Sequence, residues 1–249
     1  MMSDKKIFWS EFHSNIHSPQ LNDLEQWYDF AKEMLDFWGI AYYPFYIRFS
    51  ETGMPLEDIR DSEIINKDWE TIRKFVKEKE KTDDYVVYMG YEWQGNGEDG
   101  DHNVFYLTNE EEMVHPLTYK ELCKKLPLGQ AIAIPHHTGY AVGHRGKNWD
   151  THDHRYSPIT EIYSSHGSSE SDVDDIPLNV HIHMGPRSTQ GTVMNGLNQG
   201  KITGIICSGD NHINPAITGN GFFGVWADKY DKESIFKAML NRNVYGVTQ

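Results

Sequence analysis

Thirteen histidines stand beside 23 lysines and arginines in this 249-residue chain, and their placement is the first chemical signal. Short apolar runs end in residues able to bind a metal. His13 follows the run that opens at Ile7, Glu92 follows VVYMGY, His136 and His137 follow AIAIP, Glu161 and His166 stand in EIYSSH, and Asp210 and His212 follow GIICS. One histidine at a strand end is ordinarily a hydrogen-bonded loop residue. Five strands ending this way point to convergence on one metal site. Histidine, aspartate and glutamate suit zinc, manganese or iron, while no cysteine pair has zinc-finger spacing. A divalent ion so held lowers the pKa of bound water from about 16 to about 7, so the expected chemistry is hydrolytic.

The elements that must position these groups alternate short apolar runs with amphipathic segments, the pattern of βα units. The expected fold is α/β: a single-domain distorted (β/α) barrel over residues 1–249, whose strand C-termini meet on one face. Strands are expected at 7–12, 39–45, 85–93, 103–107, 131–135, 160–164, 202–207 and 222–227, with VYGVT closing the chain. Helices are expected at 21–38, at 67–81 capped by Asn66, and at 118–126, 188–198 and 232–241. The first rests on Leu21, Leu24, Trp27, Ala31, Leu35 and Trp38, spaced by three and four. Residues 48–65 read as irregular. The polar loop 139–157 carries His144, His152 and His154, and His181 and His183 would share one face of an extended segment.

Acidic residues number 37, for a net charge of −14, which opposes binding to a phosphate backbone. Nucleic acid and anionic membrane are therefore excluded as partners. No apolar run approaches the roughly 18 residues of a membrane span, and MMSDKK is followed by no apolar signal region. A soluble, cytoplasmic protein is expected, with Cys123 and Cys207 as free, buried thiols.

The segments FWSEFHSNIH, GYEWQGNGEDGDHNVFY, AIAIPHHTGY, EIYSSHGSSE, CSGDNH and IFKAMLNRNVYGVT resemble a branch of the polymerase and histidinol phosphatase (PHP) superfamily of metallohydrolases. They run from residue 8 to 248. The resemblance implies a distorted barrel holding up to three divalent ions and cleaving phosphoester bonds. It places His13 at the first histidine of the opening pair, Glu92 at the ion-bridging glutamate, His136 at the end of a middle strand, and Asp210 and His212 at the closing pair. The ligand between Glu92 and His136 falls at Asp101 or His102. The resemblance favours Asp101, and residue type favours His102.

Two departures reduce the expected ion count. The opening pair is widened to His13-Ser-Asn-Ile-His17, with Asn15 at the second histidine's place, and Tyr43-Pro44-Phe45 stands where a threonine-aspartate-histidine motif belongs. Six retained ligands would hold one or two ions, with His17 as substitute ligand. The expected substrate is a small anionic ester. Arg187, just before a helix start, is the candidate for its negative charge. His137 and His166 are candidates to protonate a leaving group. The expected function is metal-dependent hydrolysis of a small phosphate or related ester; the alternatives are a non-catalytic metal- or ligand-binding barrel and a metal-assisted lyase.

Overall fold

The computed structural model describes residues 5–173, 176, 178, 184, 186–217 and 220–248. In chain order the elements are β1 (Lys6–Ser10), β2 (Asn15–His17), a 3-10 turn (Ser18–Asp23), α1 (Leu24–Met34), β3 (Phe37–Tyr43), β4 (Phe45–Phe49), β5 (Pro55–Ile59) and α2 (Ser62–Thr82). They continue with β6 (Val86–Trp93), β7 (His102–Tyr106), α3 (Tyr119–Lys125), β8 (Ala131–Pro135), β9 (Ile159–Ser164) and β10 (Gly167–Ser168). The last are α4 (Val193–Asn198), β11 (Gly204–Cys207), β12 (Gly221–Ala227), α5 (Lys232–Leu240) and β13 (Val244–Thr248).

The strands form four separate sheets: a five-stranded one in the order β2-β3-β6-β7-β8, two of three strands (β1-β12-β13 and β10-β9-β11), and the hairpin β4-β5. The closed (β/α) barrel expected from the sequence is therefore corrected to a mixed α/β architecture. The reason lies in strand direction. A barrel of repeated βα units needs parallel strands throughout, whereas β7 runs antiparallel to both β6 and β8. β12 likewise runs antiparallel to β1 and β13.

The five-stranded sheet explains its own uninterrupted apolar sequences. Every residue of β3, β6, β7 and β8 is buried, because both faces are covered. Side chains alternate between faces along each strand. On one face Trp38, Ile40, Tyr42, Val87, Met89, Tyr91 and Val104 pack with α1, α2 and α3. On the other Phe37, Ala41, Val86, Tyr88, Phe105, Ile132 and Ile134 pack with Phe12, β11, β12 and α5. Phe12 is the hub of this second cluster. Its ring lies 4.5 to 5.6 Å from those of Phe37, Tyr88, Phe105 and Phe223.

Side-chain caps mark some helix starts, whereas α2 begins at Ser62 without one, and Asn66 lies inside this helix instead of capping it. Thr118 accepts from Glu121 N at the start of α3, and Asp231 accepts from Ser234 N at the start of α5. The first helix stops at Met34 rather than at residue 38, and Trp38 belongs to β3. Cys123 and Cys207 are free and buried. Among the described residues no helix is long and apolar enough to cross a membrane.

Candidate metal centre

Side-chain alternation selects which groups meet. On β6 and β7 the face that carries Tyr88 and Phe105 also carries Glu92 and, one residue before β7, Asp101. The same parity on β8 carries Ile132, Ile134 and, just past the strand, His136. Pairing of Trp93 with His102 and of His102 with Pro135 brings the three to one edge. His102 points to the opposite face. There its ring stacks on Tyr119 at 4.6 Å, with Nδ1 2.9 Å from Gly100 O and Nε2 3.1 Å from Lys147 Nζ.

The other half of the site comes from segments joined across the chain. Glu11 Oε2 accepts from His13 N at 2.9 Å and from Gly209 N at 3.2 Å, while its Oε1 accepts from Ser14 Oγ. Asn15 N donates to Asn211 O at 2.7 Å. These bonds set His13 against Asp210, with Nε2 3.2 Å from Oδ1, and Nδ1 reaches Glu161 Oε2 at 2.8 Å. His13 Nε2 lies 3.6 Å from Glu92 Oε2. Glu92 is fixed in turn by Asn15 Nδ2 at 2.9 Å and Gln94 Nε2 at 3.0 Å.

Three overlapping triads result: His13, Glu92 and His136; Asp101, His136 and His137; His13, Glu161 and Asp210. In each, one ligand atom per residue lies within 4.8 Å of the others, and all these residues are buried. Several of their atoms have no hydrogen-bond partner among the described residues: both ring nitrogens of His136, His137 Nδ1, Asp101 Oδ1 and Glu161 Oε1. Buried polar atoms are rarely left so, and a cation would satisfy them. The donor set of imidazole and carboxylate fits zinc, manganese or iron.

Burial and the neighbouring charges set the protonation of these groups. Burial pushes Asp210 up to about 7 against the pull of His13. It also pushes Asp101 well above the ordinary carboxylate range, although Arg145 opposes it. Burial works against ionised Glu92 too, yet His13 and Arg145 overcome it and hold Glu92 down at about 2. Burial disfavours a protonated His13, but Asp210 and Glu161 outweigh it and keep that imidazole protonated well above its usual range. Burial, with the imidazoles around them, holds His136 and His137 well below theirs, so both are neutral donors.

Backbone strain concentrates here. His137 (φ +32°), Arg145 (φ +71°) and Asp210 (φ +49°) are three of the five described non-glycine residues in the left-handed region. Such conformations cost about 1 to 3 kcal/mol each and persist where the surroundings enforce them.

The candidates from the sequence are distributed as follows. His13, Glu92, Asp101, His136 and Asp210 come together, joined by Glu161 and by His137. His166 borders them, with Nδ1 2.9 Å from Tyr140 Oη and Nε2 3.3 Å from Asp210 Oδ2. His17 and His212 pair outside the triads, His17 Nε2 2.7 Å from His212 Nδ1. Burial, and then His212, lowers His17 to about 4. Arg187 bridges to the backbone of Tyr140. His144 and His154 are exposed, and His152 Nε2 lies 3.1 Å from Ile202 O. His181 and His183 lie outside the described residues.

A cavity of about 330 Å³ opens on the cluster. Its walls include His17, Tyr43, Ile47, Glu57, Glu92, Arg145, His166, Asp210 and His212. Two of the charged side chains here carry no signal in the sequence. Arg145 sits in a loop whose only flagged residues are histidines, and Glu57 lies on β5, inside the stretch expected to be irregular. Tyr43 Oη donates to Glu57 Oε1 at 2.6 Å, tying the hairpin to the end of β3.

No family model matches the chain, and no curated protein matches it. Among solved structures it is similar in fold to a two-domain protein from Bacteroides vulgatus ATCC 8482 that contains a predicted PHP-like metal-dependent phosphoesterase. The two share 15% sequence identity, with a TM-score of 0.56. The match covers 98% of this chain and 66% of the other, so the chain spans just under two thirds of that neighbour's length, and the likeness is one of fold.

Proposed function

We propose that the chain is a metal-dependent hydrolase of a small phosphate or related anionic ester. The observation that carries this reading is the run of three buried triads sharing His13 and His136 and opening on one cavity. The fold likeness to a protein containing a predicted PHP-like phosphoesterase supports it. His13, Glu92, Asp101, His136, His137, Glu161 and Asp210 would hold one or two divalent ions. When bound, such an ion supplies Lewis acidity and lowers the pKa of water to about 7.

The chain's own groups do the rest. Asn15 and Gln94 hold both oxygens of Glu92 in a fixed orientation, and preorganised ligands cost no rearrangement during reaction. His166 lines the cavity with one nitrogen on Tyr140, a position from which it delivers a proton to a leaving oxygen. Arg145, also on the cavity wall, brings positive charge to an anionic ester.

The test is turnover of p-nitrophenyl phosphate and bis(p-nitrophenyl) phosphate by protein loaded with manganese or zinc, with bound metal measured on the same sample. The expected result is metal-dependent release of nitrophenol that chelation abolishes. Full metal content without turnover on either ester would overturn the hydrolase reading in favour of a binding protein.

A further inference from the structure

The cavity has a flank that metal binding does not use, the β4-β5 hairpin. There Phe45 pairs with Ile59, Ile47 with Glu57 and Phe49 with Pro55. Partners across a ladder share a face, as do alternate residues along a strand, so Phe45, Ile47 and Phe49 lie on the face of Glu57. Ile47 and Glu57 both line the cavity, which identifies that face as the one turned to it. The inner end of the strip is anchored. Phe45 is buried, its ring 5.2 Å from that of Tyr43 and 5.4 Å from that of His115. Glu57 accepts from Tyr43 Oη at 2.6 Å and from Arg145 Nη1 at 2.5 Å. Farther out the strip turns to solvent, with Ile47 57% and Phe49 70% exposed.

Fixed positive charge is scarce in the same cavity. Arg145 is the sole lysine or arginine among the described residues that line it. Its Nε donates to Asp101 Oδ2, its Nη1 to Glu57 Oε2 and its Nη2 to Glu92 Oε1, which leaves one N–H on each Nη for one anionic group. A second anionic group on a ligand would find no such partner. It would instead meet Ile47 and the buried Met184, side chains that cannot replace its lost water. An uncharged apolar body gains free energy by covering the same side chains. We propose, resting on the hydrolase reading above, that the substrate carries a single anionic ester group on an uncharged apolar body, and that Ile47 and Phe49 select that body.

The experiment measures binding, separately from turnover. Manganese-loaded protein is titrated calorimetrically with three non-hydrolysable analogues: ethylphosphonate, hexylphosphonate and 6-phosphonohexanoate, whose chain ends in a carboxylate. Each methylene buried on the strip tightens binding about fourfold, so two of the four added in hexylphosphonate should lower Kd about 15-fold below that of ethylphosphonate. The terminal carboxylate should cost at least about tenfold relative to hexylphosphonate. Serine at both Ile47 and Phe49 should bring the ethyl and hexyl analogues within about threefold of each other, and Ile47→Lys should make 6-phosphonohexanoate the tighter of the two long ligands. Leu56→Ser, on the opposite face of the hairpin, should keep the wild-type ratio. Equal Kd for the ethyl and hexyl analogues in wild type, tighter binding of the carboxylate, or an unchanged ratio in the double serine variant overturns the proposal. Selective binding of hexylphosphonate by a chain that turns over no ester refutes the hydrolase reading alone, and failure of all three analogues to bind refutes both.

Discussion

Replacing His102 by alanine and Asp101 by asparagine separates two adjacent residues that meet opposite faces of the sheet. His102 is fully buried, stacked on Tyr119 and bonded at both nitrogens, so its removal leaves a cavity and strips Lys147 Nζ of a partner. Truncating a buried ring costs about 3 kcal/mol or more, which at roughly 2 to 4 °C per kcal/mol in a chain of this size lowers Tm by about 6 to 12 °C. Metal content per folded chain is expected to stay at the wild-type value. Asp101→Asn keeps the volume, and its amide oxygen still accepts from Arg145, so the fold should lose little. What goes is the charge and one ligand atom beside His136 and His137. Loss of even a supporting residue weakens metal binding about 10- to 100-fold, and a direct ligand should cost no less. Scanning fluorimetry in chelator gives the stability change, and elemental analysis gives the metal content. Metal lost from His102→Ala, with Asp101→Asn retaining it at wild-type affinity, would refute the facial assignment.

Three further outcomes are expected. Phe12→Ala removes the ring against which Phe37, Tyr88, Phe105 and Phe223 pack, and should cost about 3 to 5 kcal/mol by urea unfolding; a loss under about 1 kcal/mol would show that the second cluster does not depend on it. Chelation should lower Tm: metal present at about 100 times its Kd stabilises by about 2.7 kcal/mol, or roughly 5 to 11 °C, and an unmoved Tm would mean that the native chain holds no ion. Burial pushes Lys147 down to about 7 from its ordinary 10.5. Between these values the unfolded chain binds the extra proton, so stability rises with pH by up to about 1.4 kcal/mol per unit. Urea titrations of chelated wild type and Lys147→Met across that range should therefore diverge with pH, and parallel profiles would rule the effect out.

The strands were legible in the sequence where burial is two-sided. AIAIP, buried throughout, is read at the same bounds in which it folds, residues 131–135, while VYGVT at 244–248 is read correctly although it is only half-buried. Two-sided burial also misleads, because a fully apolar run has no period: Trp38 continues the three-and-four spacing of the preceding helix and yet stands in β3. The hairpin β4-β5 escaped because its side chains are mostly exposed and mixed, so neither alternation nor apolarity marks it. Strand direction cannot be read from composition, which is why a parallel barrel was expected where β7 turns back. At the site, residue type alone could find imidazoles and carboxylates at strand ends. It could not find Arg145 or Glu11, since a lone arginine in a polar loop and a lone glutamate beside a strand acquire meaning only from what folding sets against them.

The stitching of residues 11–15 to residues 208–211 has a consequence for the order in which the protein matures. β1 pairs with β12, and His13 faces Asp210, so the first residues of the site wait for partners nearly 200 positions later in synthesis. The triads His13, Glu92, His136 and Asp101, His136, His137 consist of residues already made by position 137, whereas the triad His13, Glu161, Asp210 lacks Asp210 until near the end of synthesis. Under the metal-site reading, an ion held by that third triad would be taken up only after residue 210 has been made. A chain stopped before residue 204 should accordingly retain less metal than the full chain, and equal retention would place loading earlier.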